Sequence, residues 1–146
     1  MGKGILGVVA GLAVWMIVVS LAGLVLRAAW PEYVSAAGTM TFTASMKVAR
    51  LSIGALATLA AGWVAALVAR STTATLVAGA LLLVVFIPVH IMLWDKFPVW
   101  YHMTFLLSLV PLTYAGGRIP SVSILGNGRR RHETHLDDHR RQRCAD

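Results

Sequence analysis

The sequence predicts an all-α, polytopic membrane protein with four transmembrane helices in an antiparallel bundle, and three observations carry that prediction. Of 146 residues, 58% are hydrophobic and only 13% are charged, where a soluble domain carries roughly a quarter charged residues. The mean hydropathy is +0.73. The apolar residues also fall into long unalternating runs, and four of these approach or reach the ~20 residues that cross a hydrocarbon core of ~30 Å. Strands of a membrane barrel would alternate in polarity, so each run is expected to be a helix that satisfies its own backbone groups.

The first span is expected over about 5–26. It is uncharged from Ile5 to Leu26 and is followed by Arg27 and the stop-like pair Trp30-Pro31. It is longer than the roughly 7–15 apolar residues of a secretory leader, so it reads as a retained span. The second is expected over 51–69, closed by Arg70, and the third over 74–94, with Pro88 and His90 as its only awkward members. The fourth, over 99–116, follows a turn at Asp95-Lys96-Phe97-Pro98 and ends at Gly116-Gly117-Arg118. The longest connection, residues 31–50, reads as a surface or re-entrant segment, or as a second helix that starts near Thr41 and projects beyond the bilayer.

With four spans both termini lie on one side. That side holds Lys3, Arg70, Arg118 and the tail arginines, nine basic residues in all, against Arg27, Lys47, Arg50 and Lys96 opposite. The positive-inside rule then puts both termini in the cytoplasm. The net charge of +7 needs no nucleic acid to explain it. From Arg118 onward seven arginines stand against four acids, and a basic juxtamembrane tail suits anionic lipid headgroups. Residues 1–118 are therefore expected to form the bundle and 119–146 a flexible, basic, His/Arg-rich cytoplasmic tail. In that tail His132, His135 and His139 are weak metal candidates, since closed metal sites rely on a rigid surrounding shell. The single cysteine, Cys144, has no partner within the chain.

Within the spans, Gly54, Thr58, Gly62 and Ala66 recur at four-residue spacing, a small-residue seam of the kind that brings helix backbones together in lipid. Gly4, Gly7 and Gly11 form a second patch. Such seams serve packing inside a bundle or association with a second copy or another membrane protein. Trp30, Tyr33, Trp94, Trp100 and Tyr101 are expected near the outer membrane–water boundary, where amphipathic rings gather. Arg50 continues the seam toward that boundary, where only Glu32 and Asp95 offer a carboxylate; the alternative is a lipid phosphate.

His90 and His102 should lie at similar depth, each about a turn inside that boundary. Three readings are open for them: hydrogen-bonded structural imidazoles, the lining of a polar vestibule with Glu32, Arg50 and Asp95, or axial ligands to a haem. No cofactor is expected from the residues, and a bound lipid or quinone between the helices remains compatible with them. The chain carries no phosphate-binding glycine loop, no paired mid-membrane carboxylates, no nucleophile beside a base and no HExxH. An enzyme is not expected.

The turn Trp94, Pro98, Trp100, Tyr101, His102, spaced W-x-x-x-P-x-W-Y-H, and the closing Pro111, Gly116, Gly117, together with GILGVVAGLAVW and IGALATLAAGWVAALVAR, resemble a group of small, uncharacterised four-helix bacterial inner-membrane proteins. The resemblance spans roughly residues 4–118. It implies the four-helix fold and a bacterial inner (cytoplasmic) membrane, and it implies no activity. The functional expectation is a non-enzymatic accessory or scaffold subunit. A small oligomeric transporter or channel with an external vestibule comes second, and a haem-bearing redox subunit third.

Overall fold

A computed structural model of the chain describes residues 2–119. Among these the structure is helical apart from short connections: α1 (Gly2–Ala29), α2 (Pro31–Thr39), α3 (Ala44–Ala69), α4 (Thr72–Met92), a single 3₁₀ turn at Trp94–Lys96, and α5 (99–119). Three of them, α1, α3 and α4, are long and apolar enough to cross a membrane. The expected tail, with His132, His135 and His139, lies outside the described residues.

Local chemistry sets the boundaries. α1 stops at Ala29 because Trp30 precedes Pro31, and proline pushes the residue before it out of the helical region; Trp30 sits at φ −137°. Pro31 then opens α2 at a first-turn position, where its missing N–H costs nothing. The segment 31–50 is thus a short helix followed by an α3 that begins at Ala44, a little after the expected start near Thr41 and well ahead of the apolar run at Leu51. Thr43 caps α3, its hydroxyl accepting from the Met46 amide at 3.4 Å. Tertiary packing extends the helix there. Phe42 and Met46 are buried with Tyr33, Ala36, Phe97 and Tyr101 in a small core of their own.

At the other end of the molecule the helices touch through small residues. Gly7 of α1 lies against Ala65 and Ala69 of α3, and Gly11 lies against Ala61 and Ala65. Gly62 of α3 lies on the Thr113 backbone of α5, Gly116 lies on Leu59, and Gly79 and Thr75 of α4 meet Thr113 and Gly117. The α1–α3 and α4–α5 contacts run in opposite sequence order, whereas Gly54 and Gly62 of α3 meet Phe105 and Thr113 of α5 in the same order. The seam expected from spacing is thus buried inside the fold, with Thr113 of α5 on Gly62 and Phe105 on Gly54. A Cβ on Gly11 would come within 2.8 Å of the Ala61 carbonyl oxygen, so glycine is what permits this approach. Trp15, Ala57, Ala61, Leu82, Phe105 and Leu109 form the principal core.

Candidate functional site

The taper of the side chains creates the site. Glycine and alanine let the helices close at one end. At the other, Trp15, Phe86, Phe97, Tyr101, His102 and Phe105 hold them apart. Between them lies a cavity of about 240 Å³, lined from the later part of α1, the start of α3, the end of α4 and the start of α5, with Tyr33 contributed by α2.

Arg50, His90 and His102 all line this cavity. Glu32 and Asp95 do not line it, and both are exposed. The guanidinium of Arg50 is half-buried, donates from Nη1 to the Tyr33 hydroxyl at 2.6 Å, and lies 4.9 Å from the centre of the Phe42 ring. Its partners are thus a phenol and an aromatic face, neither of which carries a full negative charge. The sequence pointed instead to a carboxylate or a lipid phosphate.

The two histidines meet directly. Their ring centroids are 5.1 Å apart at 81°, edge to face. His90 reaches the Phe86 carbonyl oxygen from Nδ1 at 3.0 Å. His102 reaches the Phe97 carbonyl oxygen from Nε2 at 3.2 Å, across the turn that begins α5. A carbonyl oxygen only accepts, so each of these nitrogens carries a proton. In neutral rings that leaves lone pairs on His90 Nε2 and His102 Nδ1. His102 is 0% exposed, and its Nδ1 has no hydrogen-bond partner. A buried polar atom without a partner costs about 1–3 kcal/mol, which makes this nitrogen the least satisfied atom of the site.

Aromatic rings fix both imidazoles. Trp94 stacks on His102 at 4.9 Å and 13°, and Phe105 stacks on His90 at 4.8 Å and 22°. Of the residues expected at a membrane boundary, Trp94 and Trp100 are exposed and Trp30 is partly so, whereas Tyr33 and Tyr101 are buried and line the cavity. The sequence placed Tyr33 at the membrane boundary and not in the cavity it lines, yet a signal existed. Tyr33 with Ala36 and Ala37 forms an i, i+3, i+4 apolar face in a segment whose Glu32, Ser35 and Thr39 lie elsewhere, the mark of a short amphipathic helix. Trp15 was also missed; its indole donates to the Thr58 hydroxyl at 3.1 Å, and Thr58 donates to the Gly54 carbonyl at 2.7 Å. The seam residues Gly54, Thr58, Gly62 and Ala66 are all buried, and Gly54 also forms part of the cavity floor.

No group of three or more His, Cys, Asp or Glu side chains that could hold a metal ion occurs among the described residues. Compared with protein families, curated proteins and solved structures, the chain matches none of them.

Proposed function

We propose that this chain is a small, non-enzymatic, four-span integral membrane protein of a bacterial inner membrane, with both termini cytoplasmic and the cavity opening toward the external side. Its role is to hold a small molecule in that cavity as an accessory subunit. The observation that carries this reading is the convergence of Arg50, His90 and His102, with Tyr33 and Tyr101, on one cavity. Side chains that merely snorkel or anchor a scaffold in headgroups have no reason to gather in this way. α5 supplies the fourth span of the antiparallel bundle, since 21 residues at 1.5 Å each match the hydrocarbon thickness.

Transport is the second reading, and the same convergence supports it. Passage would require the close-packed contacts Gly62–Thr113 and Gly116–Leu59 to separate, so binding is the simpler role for the arrangement. Two imidazoles already in ring contact give little support to a macrocycle between them. An accessory role also leaves room for a partner membrane protein or a second copy on the lipid-facing surfaces.

The test is cysteine accessibility in intact spheroplasts. Gly23 lines the cavity and has nothing within 4 Å of where its Cβ would be, so Gly23→Cys in a Cys144→Ser background should fold. A water-soluble thiol reagent added outside should label it readily, while a reporter fused after residue 118 should be active only inside. Absence of labelling from outside would remove the external cavity, and an external reporter signal would invert the topology.

A further inference from the structure

We propose that the cavity receives the head group of a membrane-soluble quinone, which enters between α1 and α4 and is held through a carbonyl oxygen by the hydroxyl of Tyr101. The inference rests on the reading that the cavity takes a small molecule, and it names that molecule's class.

The opening gives the route. Of the residues around the cavity, Arg27 of α1 and Val89 of α4 are the exposed ones. Gly23, one turn before Arg27, also lines it, and nothing lies within 4 Å of where its Cβ would stand. α1 and α4 are both long and apolar enough to cross a membrane, so a gap between them admits a molecule dissolved in hydrocarbon, with Arg27 at its polar rim.

The walls give the shape. Trp15, Phe86, Phe105, His90 and Tyr101 follow one another around the cavity, with successive ring centroids 4.9, 5.2, 4.8 and 6.4 Å apart. Such a run of rings takes a flat π-system face to face or edge to face, whereas an acyl chain asks only for aliphatic surface. At about 240 Å³ the cavity is smaller than the roughly 300–1,000 Å³ of sites that enclose a drug-sized ligand. It holds one ring and leaves an apolar tail in the bilayer.

The polar groups give the chemistry. Arg50 is already engaged: it donates to the Tyr33 hydroxyl at 2.6 Å, lies over the Phe42 ring and stands beside the Tyr101 hydroxyl. What the cavity offers is therefore the phenols and not a free charge. A phenol oxygen that faces a guanidinium still has its own proton to give, and neither Tyr33 nor Tyr101 donates that proton to another of the described residues. The Tyr101 oxygen is also reachable, since His102 Nδ1 is the only fully enclosed side-chain polar atom without a partner among the described residues. His102 itself, at 0% exposure, takes no part. No carboxylate lines the cavity, so the donors call for an acceptor from outside the chain. A carbonyl oxygen accepts without bringing a charge, and a quinone joins that oxygen to a flat ring and an apolar tail.

The experiment uses the full-length protein in dodecyl maltoside, titrated with decylubiquinone while tryptophan fluorescence is read. Trp15 lines the cavity, and Trp30, Trp63, Trp94 and Trp100 do not. The expected result is quenching that saturates at one quinone per chain, above the linear quenching by quinone dissolved in the micelle. Trp15→Phe should leave only the linear part; a saturable part that survives it would place the quinone elsewhere. Tyr101→Phe keeps the ring and should weaken binding roughly 3–10-fold, the worth of one neutral hydrogen bond. Gly23→Leu, which fills the gap between α1 and α4, should weaken it further than Tyr101→Phe does. Decylbenzene, which has the ring and the tail but no carbonyl oxygen, should fail to relieve the saturable quenching when added in excess. Displacement by decylbenzene, or full affinity in Tyr101→Phe, would overturn recognition through the tyrosine. Saturation insensitive to Gly23→Leu would overturn the route of entry. Absence of saturable quenching from a protein whose Gly23→Cys labels would overturn the quinone and leave the cavity standing, whereas absence of that labelling as well would remove the cavity itself.

Discussion

A methyl group added at Gly62 tests the packing on which the cavity depends. An alanine Cβ there would lie 2.7 Å from the carbonyl carbon and 2.9 Å from the Cα of Thr113, where carbon atoms normally settle at about 3.5–4.0 Å. The obstacle is the backbone of α5, so no rotamer change relieves it, and α5 must retreat by roughly 1 Å. A gap of that size forfeits a quarter to a half of each dispersion contact across the seam, and overpacking of this kind costs about 1–3 kcal/mol. Replacing glycine by alanine inside a helix returns up to ~1 kcal/mol, so the net expectation is destabilisation by about 1–2 kcal/mol. Gly23→Ala is the control, since its Cβ would meet nothing, and it should be neutral or stabilising. The assay is denaturation in mixed detergent micelles followed by tryptophan fluorescence, the two variants run beside the unsubstituted chain. If Gly62→Ala proved as stable as Gly23→Ala, α5 would not lie on this seam, and the tapered bundle that opens the cavity would be refuted.

Further outcomes follow from single contacts. Trp15→Phe removes the indole donor but leaves Thr58 bonded to Gly54, and should lower stability by about 1 kcal/mol in the same assay. Tyr33→Phe deprives the half-buried Arg50 of its hydroxyl partner and should cost about 1–3 kcal/mol; no loss of stability would mean that Arg50 is held by something other than α2. Arg70 ends α3 at φ 51°, a left-handed conformation that costs an L-residue about 1–2 kcal/mol, so Arg70→Gly should raise the denaturation midpoint. An unchanged or lowered midpoint would show that this turn has a different backbone.

The helical character and the membrane-crossing runs in α1, α3 and α4 were legible in the sequence because hydropathy is a property of the segment itself, independent of what it packs against. The turn at Trp94–Lys96 and the break at Trp30-Pro31 were legible for a similar reason, since proline constrains its own backbone and that of its neighbour. The four-residue repeat Gly54, Thr58, Gly62, Ala66 announced a close helix contact, but spacing along one helix carries no information about which helix arrives. Only the tertiary structure placed Thr113 on Gly62 and Phe105 on Gly54. It also decided that α3 starts at Ala44, because the stabilisation there comes from Phe42 and Met46 meeting Phe97 and Tyr101, two stretches far apart in the chain. Arg50 and the two histidines were marked as exceptional by being ionisable residues in apolar runs, and their depth could be counted at 1.5 Å per residue. Their rotation about the helix axes could not. Whether Arg50 faces Tyr33 or a carboxylate, and whether His90 faces His102, is set by how four helices close on the small residues at the far end and are held apart by aromatic rings at the near one.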